Sequence, residues 1–206
     1  METHDYPVIA EVDVAVVGGG FAGVAAALAS AAQGRQTLLI ESRPLLGWEA
    51  ASAFALDWAG AEADPGPLAT AMRAAGGIRG DRLDAPICEM VLERLIAQSG
   101  AEVLFYSTPV AVWRDGDRIG GLVVGNKSGR QIVRARAFVD ATEEALLWRL
   151  AGTAPAGPAA IRGRLAVFYN HVAGDASAIE APAVPGVGAL RVVPSVWPGE
   201  VAVEFE

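Results

Sequence analysis

Residues 12–41, VDVAVVGGGFAGVAAALASAAQGRQTLLIE, constrain this chain more than any other stretch. Val12 to Val17 is a nearly unbroken apolar run, the texture of a strand covered on both faces of a parallel sheet. Gly18, Gly20 and Gly23 follow with G-x-G-x-x-G spacing. In such a turn the first glycine permits the sharp bend. The second lets backbone approach a pyrophosphate, and the third lets a helix pack closely on the strand. Phe21 to Gln33 is rich in alanine, the best helix former, and Gly34 is a natural stop. The free N–H groups at the start of that helix attract an anion. TLLI reads as a second strand ending at Glu41, close to the ~20-residue spacing at which these units place a ribose-binding acid. A carboxylate there accepts hydrogen bonds from both ribose hydroxyls and repels a 2′-phosphate, which disfavours NADP. The residues alone point to an adenine dinucleotide and leave FAD and NAD both open.

The chain has 206 residues, enough for one domain with a sizeable core and part of a second. It is 52% hydrophobic, yet no apolar run is long enough to span a bilayer. METHDYPVIAEVD carries acids and no basic region, unlike a secretory signal. A single cysteine, Cys88, excludes an intrachain disulfide and suits a reducing compartment, so a cytoplasmic location is expected. The net charge of −8 argues against nonspecific binding to nucleic acid or anionic membranes. The apolar excess suits a chain that buries surface against a partner.

Residues 44–83 form a long connection, with short helices expected within Trp48–Trp58 and Pro67–Ala75 and a mobile stretch around Gly76, Gly77 and Gly80. Asp84 can cap a helix running to about Ser99, whose apolar face carries Ile87, Cys88, Val91, Leu92, Leu95 and Ile96. From Glu102 the period becomes that of strands. EVLFY, VAVWR, IGGLVV and QIVRA, with turns at Asp115-Gly116 and Ser128-Gly129, read as a β-meander over about 102–136. RAFVDAT then reads as a strand returning to the parallel sheet. TAPAGPAAI reads as a linker, and RLAVFYNHVAG, ALRVV and EVAVEF as further strands. The expected division is a dinucleotide-binding domain over 1–155 and a partial, β-rich cap or substrate domain over 156–206. VAVEFE, the last segment, reads as a strand still needing neighbours.

This order resembles the FAD-dependent oxidoreductases of the glutathione-reductase-like type, which carry two dinucleotide-binding domains. The likeness covers about residues 11–175. It rests on VDVAVVGGGFAGVAAALASA, TLLIESRPLLG, LDAPICEMVLERLIAQSGAEVLFYSTPVAV, GGLVVGNKSGRQIVRARAFVDAT and RLAVFYNHV. It implies an α/β fold, a Rossmann-like FAD-binding domain with a parallel sheet and inserted β-meander, and FAD rather than NAD as cofactor.

The resemblance also implies roles. Gly18, Gly20, Phe21, Ala22 and Gly23 match the pyrophosphate turn, and Glu41 matches the ribose acid. Ser42 and Arg43 match positions flanking the adenosine. Gly47 and Trp48 match the stretch that passes the phosphates toward the flavin. Val110 matches the meander position whose backbone meets the adenine edge, and Ala141 and Thr142 match the returning strand end. The family commonly continues D-A-T with glycine and aspartate, where this chain has Glu143 and Glu144. It often has a second glycine where this chain has Trp48. Members also continue to a second glycine motif that holds the flavin, and nothing after residue 160 matches it. The implied protein is an FAD-binding subunit completed by a second chain and acting on a small-molecule substrate.

The flavin carries its own redox chemistry, so no catalytic triad is required, and no catalytic residue is assigned. Cys88 sits on the apolar face of its helix, which favours a buried hydrophobe over a catalytic thiol. His4 falls in the N-terminal tail. His171 has the option of facing a substrate, but ordinary packing is favoured. Trp48 and Trp58 are candidates to wall the flavin, with core packing an equal alternative. No histidine or cysteine spacing suggests a metal. Two competing readings stay open: a non-catalytic subunit that keeps the fold, and a stand-alone NAD-binding protein.

Overall fold

β1 (Val8–Val17) and β2 (Thr37–Ile40) lie side by side and parallel, with Val14 opposite Thr37 and Val17 opposite Ile40. The 12-residue helix α1 (Phe21–Ala32) makes the crossover between them. The computed structural model describes residues 5–53, 57–58, 66–153, 165–169, 185 and 190–205. In β1 the side chains alternate between two cores. Val16 joins Val24, Leu39, Leu46, Met72 and Leu92 on one face, and Ala15 and Val17 join Leu38, Ile40, Leu122 and Val133 on the other. Burial on both faces is the physical reason this strand reads as an almost continuous apolar run.

The long connection holds α2 (Trp48–Ala51), α3 (Gly66–Ala75) and a hairpin of β3 (Ile78–Arg79) with β4 (Arg82–Leu83). Of the glycines in the stretch expected to be mobile, Gly80 lies in the turn of this hairpin, and Gly76 and Gly77 close α3 by donating to the Arg73 and Met72 carbonyls. Next comes α4 (Ala85–Ser99), the helix expected over these residues. Asp84 caps it by accepting the Ile87 N–H at 3.2 Å, and Gly100, at φ +81°, ends it in the left-handed region.

β5 (Glu102–Leu104) pairs parallel with β2, so EVLFY extends the parallel sheet and does not open the meander. The antiparallel part is β6 (Thr108–Asp115), β7 (Arg118–Asn126) and β8 (Gly129–Asp140). QIVRA and RAFVDAT were expected as separate strands, but β8 is a single one. It runs antiparallel to β7 and parallel to β1, from Val8↔Ile132 to Val17↔Asp140. The result is one six-stranded α/β sheet of order β5-β2-β1-β8-β7-β6, Rossmann-like at its parallel end. α5 (Leu146–Leu150) follows β8.

β9 (Leu165–Tyr169), β10 (Leu190–Pro194) and β11 (Val201–Phe205) form a second sheet of order β10-β11-β9. VAVEF is thus the central strand, hydrogen-bonded on both sides, and not a strand lacking neighbours. Among the described residues no helix is long and apolar enough to cross a membrane.

Candidate dinucleotide site

The strand order turns back at β1, whose two neighbours are β2 and β8. Crevices outside the carboxyl ends of the strands at such a point are where open α/β sheets bind ligands. Here the crevice is bounded by the β1–α1 glycine loop, the end of β2, the start of β6 and the turn after β8.

Each loop glycine has its own reason. Gly18 sits at φ +99°, a conformation costly for other residues. Its N–H donates to the Ile40 carbonyl at 2.9 Å, and a Cβ there would lie 2.6 Å from the Ala141 carbonyl oxygen. A Cβ on Gly23 would fall onto the Gly18 carbonyl oxygen, so only glycine lets α1 seat this close to the loop. Gly19 is wedged between Leu46 and Glu41. Gly20, at φ −69°, has no backbone need for glycine. What a Cβ would strike there is the Glu49 carboxylate.

Glu41 is only 2% exposed, at the end of β2. Its Oε2 accepts the Gly19 N–H at 2.5 Å. Its Oε1 accepts the Arg43 N–H at 2.7 Å and the Ser42 hydroxyl at 3.1 Å, with the Arg43 guanidinium 3.7 Å away. The acid expected to meet a ribose thus also clamps the glycine loop to the end of β2. Its backbone is pinned as well, by the Leu104 carbonyl and the Ser107 N–H.

Arg43 lies 4.6 Å from the centre of the Trp48 ring and pairs with Glu143 at 3.1 Å, joining two walls of the crevice at its surface. The opposite wall is the D-A-T turn. Asp140 Oδ1 accepts from the Thr142 N–H and hydroxyl, at 3.1 and 2.7 Å, and its Oδ2 accepts the Leu147 N–H at 2.8 Å. Thr142 in turn accepts the Leu146 N–H at 2.8 Å. Asp140 and Thr142 therefore cap α5, a role that makes D-A-T a structural turn as well as a crevice wall. Ala145, at φ +51°, is a non-glycine residue held in the left-handed region by this arrangement.

Glu49 approaches from α2. Its Oε1 accepts the Phe21 N–H at 3.0 Å, at the first turn of α1, while its Oε2 is buried without a hydrogen-bond partner. Burial pushes this carboxyl above its usual range, and nearby Glu143 adds to the rise. Hydrogen bonds from its own backbone N–H and from Phe21, and the charge of Arg43, oppose it.

The structure brings Gly18, Glu41, Ser42, Arg43, Trp48, Ala141 and Thr142 to one crevice, with Gly20, Phe21, Ala22 and Gly23 beginning the helix above it. Gly47, at φ +69°, donates its N–H to the Gly19 carbonyl at 2.8 Å and so joins α2 to the loop. Val110 is different. Its side chain is 44% exposed where the β6–β7 register slips, and Thr108 and Pro109 line the crevice instead. Sequence reasoning missed Gly19, Glu49 and Ser107. The one signal for Glu49 was an acid two residues after Gly47, at the start of a helix. Trp58 packs edge-on against Phe21, ring centres 6.1 Å apart, within the core beside α4. Cys88 is fully buried, its thiol donates to the Gly77 carbonyl at 3.1 Å, and burial pushes its pKa up to about 11, the surroundings of a packing cysteine. His4 and His171 lie outside the described residues.

Solved structures share this architecture. OxyS anhydrotetracycline hydroxylase from Streptomyces rimosus matches with a TM-score of 0.59 at 17% identity, over 95% of this chain and 45% of that one. A geranylgeranyl bacteriochlorophyll reductase-like protein from Thermoplasma acidophilum matches at 0.58 and 19%, over 95% and 56%. CabE, an aromatic hydroxylase from angucycline biosynthesis, matches at 0.66 and 19%, over 94% and 43%. These identities show the fold alone, and the chain spans about half the length of these proteins. No curated protein sequence matches it. The family model described as FAD dependent oxidoreductase matches residues 13–164, the glycine loop, crevice and six-stranded sheet together. By that match the chain belongs to the FAD dependent oxidoreductase family, whose cofactor is FAD.

Proposed function

We propose that this chain supplies the FAD-binding module of a flavin-dependent oxidoreductase, and that a second polypeptide completes the flavin and substrate site. The observation that carries the first half is the cradle at the start of α1. A Cβ at Gly20 would enter it, Gly18 and Gly23 let the strand turn and α1 pack closely beneath it, and the N–H of Phe21 already holds an oxyanion. That is the donor set a pyrophosphate needs. The residues present therefore fit the group. Gly20, Phe21, Ala22 and Gly23 would hold the pyrophosphate, and Glu41, with Ser42 and Arg43 beside it, the adenosine ribose. Ala141 and Thr142 would flank the cofactor. Bound flavin would supply hydride and electron transfer, while the chain's part is to orient it and shape its electrostatics.

The apolar composition, 52% hydrophobic, supports the second polypeptide, because an obligate interface is a natural place to bury such surface. The strand edge does not support it, because β11 is paired on both sides. A non-catalytic subunit is the second reading, favoured by the carboxylates of Glu49 and Glu143 beside the anion seat.

One purification separates the two. The native protein is expected to show flavin absorption near ~450 nm, a property of the cofactor itself. Light scattering should find it in a complex with another chain. A colourless protein that releases no flavin on denaturation favours the non-catalytic reading. A stable, flavin-loaded, active monomer of the chain's own 21.2 kDa overturns the second polypeptide.

A further inference from the structure

The first N–H of the seat that a pyrophosphate would use is taken by the chain's own acid. α1 has no side-chain hydrogen bond at its N-cap, because Gly20 has no side chain, and no acidic residue in its first turn. Its first N–H groups depend on an acceptor from elsewhere. Glu49 provides one: its Oε1 takes the Phe21 N–H at 3.0 Å. The carboxylate lies in the very space that a Cβ on Gly20 would enter, the space the second glycine of the motif keeps open.

Glu49 is delivered there by design of the backbone. Gly47 takes a left-handed conformation and bonds the Gly19 carbonyl, and the N–H groups of Ala50 and Ala51 both donate to the Gly47 carbonyl at 3.0 Å. A Cβ on Gly47 would collide with Leu92, so α2 is pressed between the glycine loop and α4. Yet the seat suits Glu49 poorly. Its Oε2 is buried with no partner, a costly state for a carboxylate oxygen. A group held by one oxygen and strained by the other is readily exchanged for an anion with more oxygens to offer.

We propose that Glu49 is an intrinsic competitor for the pyrophosphate seat, occupying the N-terminus of α1 in the FAD-free chain and yielding it when FAD binds, so that this side chain sets the affinity for diphosphate-containing ligands. The inference rests on the FAD-binding reading above. Two negative groups cannot share one helix terminus at such range, so FAD binding must displace the carboxylate, and that displacement is charged against affinity. In exchange, the FAD-free loop keeps its shape, because its leading N–H is never left bare.

The test compares wild type, Glu49→Gln and Glu49→Ala, with circular dichroism to confirm folding. FAD, ADP and adenosine are titrated by calorimetry. Both variants are expected to bind FAD and ADP about tenfold more tightly or better, the scale of one charge-assisted hydrogen bond. Adenosine, which lacks the diphosphate, is expected to bind all three alike. If wild type binds FAD and both variants bind it equally or more weakly, the competitor role is wrong and the FAD-binding reading stands. If none of the three binds FAD or ADP, that reading fails. Inorganic pyrophosphate titrated against nitrogen-15-labelled wild type and Glu49→Gln then decides the competitor role separately. A Phe21 amide shift at lower pyrophosphate in Glu49→Gln upholds it, and equal responses or none overturn it.

Discussion

The glycine-loop crevice and the α4 helix pack against the same core, yet they obey different rules. α4 follows local chemistry: a carboxylate cap, an apolar face with Cys88, Val91, Leu92 and Ile96 buried, and a left-handed glycine at its end. The crevice breaks those rules. It buries Glu41, leaves one oxygen of Glu49 unpaired, uses glycines that no side chain could replace, and holds Ala145 at positive φ. Asp84, the cap of α4, is also fully buried with one oxygen unpaired, so what sets the crevice apart is its left-handed Ala145 and the glycines fixed by close backbone approach, strain of the kind a fold keeps where it serves a ligand.

The comparison can be broken or sharpened by substitution. The largest effect is expected from Gly20→Val. At φ −69° valine meets no backbone strain, so the fold should survive, but the new side chain enters the anion seat. Flavin content of the purified variant should fall to background while its circular dichroism stays that of wild type. Retained flavin would place the pyrophosphate elsewhere. In the helix the sensitive position is Leu92, fully buried and packed against Gly47. Leu92→Ala should cost about 2–5 kcal/mol in urea unfolding, through lost burial and a residual cavity.

Glu41→Ala should show the crevice's mixed role. It leaves the N–H groups of Gly19 and Arg43 without their acceptor, each lost partner costing about 1–3 kcal/mol. Both stability and FAD affinity should fall, and loss of affinity alone would show that the clamp on the loop is idle. Asp84→Ala removes the cap of α4 and should cost about 1 kcal/mol with no effect on flavin binding. The smallest change is on the outer face of α4. Burial and then repulsion from Glu89, one turn away, raise the Glu93 pKa. Glu93→Lys turns that repulsion into an attractive pair and should add about 0.5 kcal/mol in the same unfolding assay.

Much of this protein was written in local sequence. β1, α1 and β2 follow from an apolar run, a glycine triplet and a run of alanines. The limits of α4 follow from Asp84 and Gly100, whose effects reach only a few residues. The three strands of the second sheet could be read too, but not their order. Alternation tells that a segment pairs, not with whom, and so the last strand became the middle one. The same limit applied to EVLFY and to the two halves of β8, since parallel and antiparallel partners demand the same residue texture. In the crevice, the glycines and Glu41 were legible because the motif fixes their spacing to one turn and one strand. Glu49 was not. Its place over the Phe21 N–H depends on a left-handed Gly47 docked on Gly19, a contact between segments far apart in the chain that only tertiary packing decides.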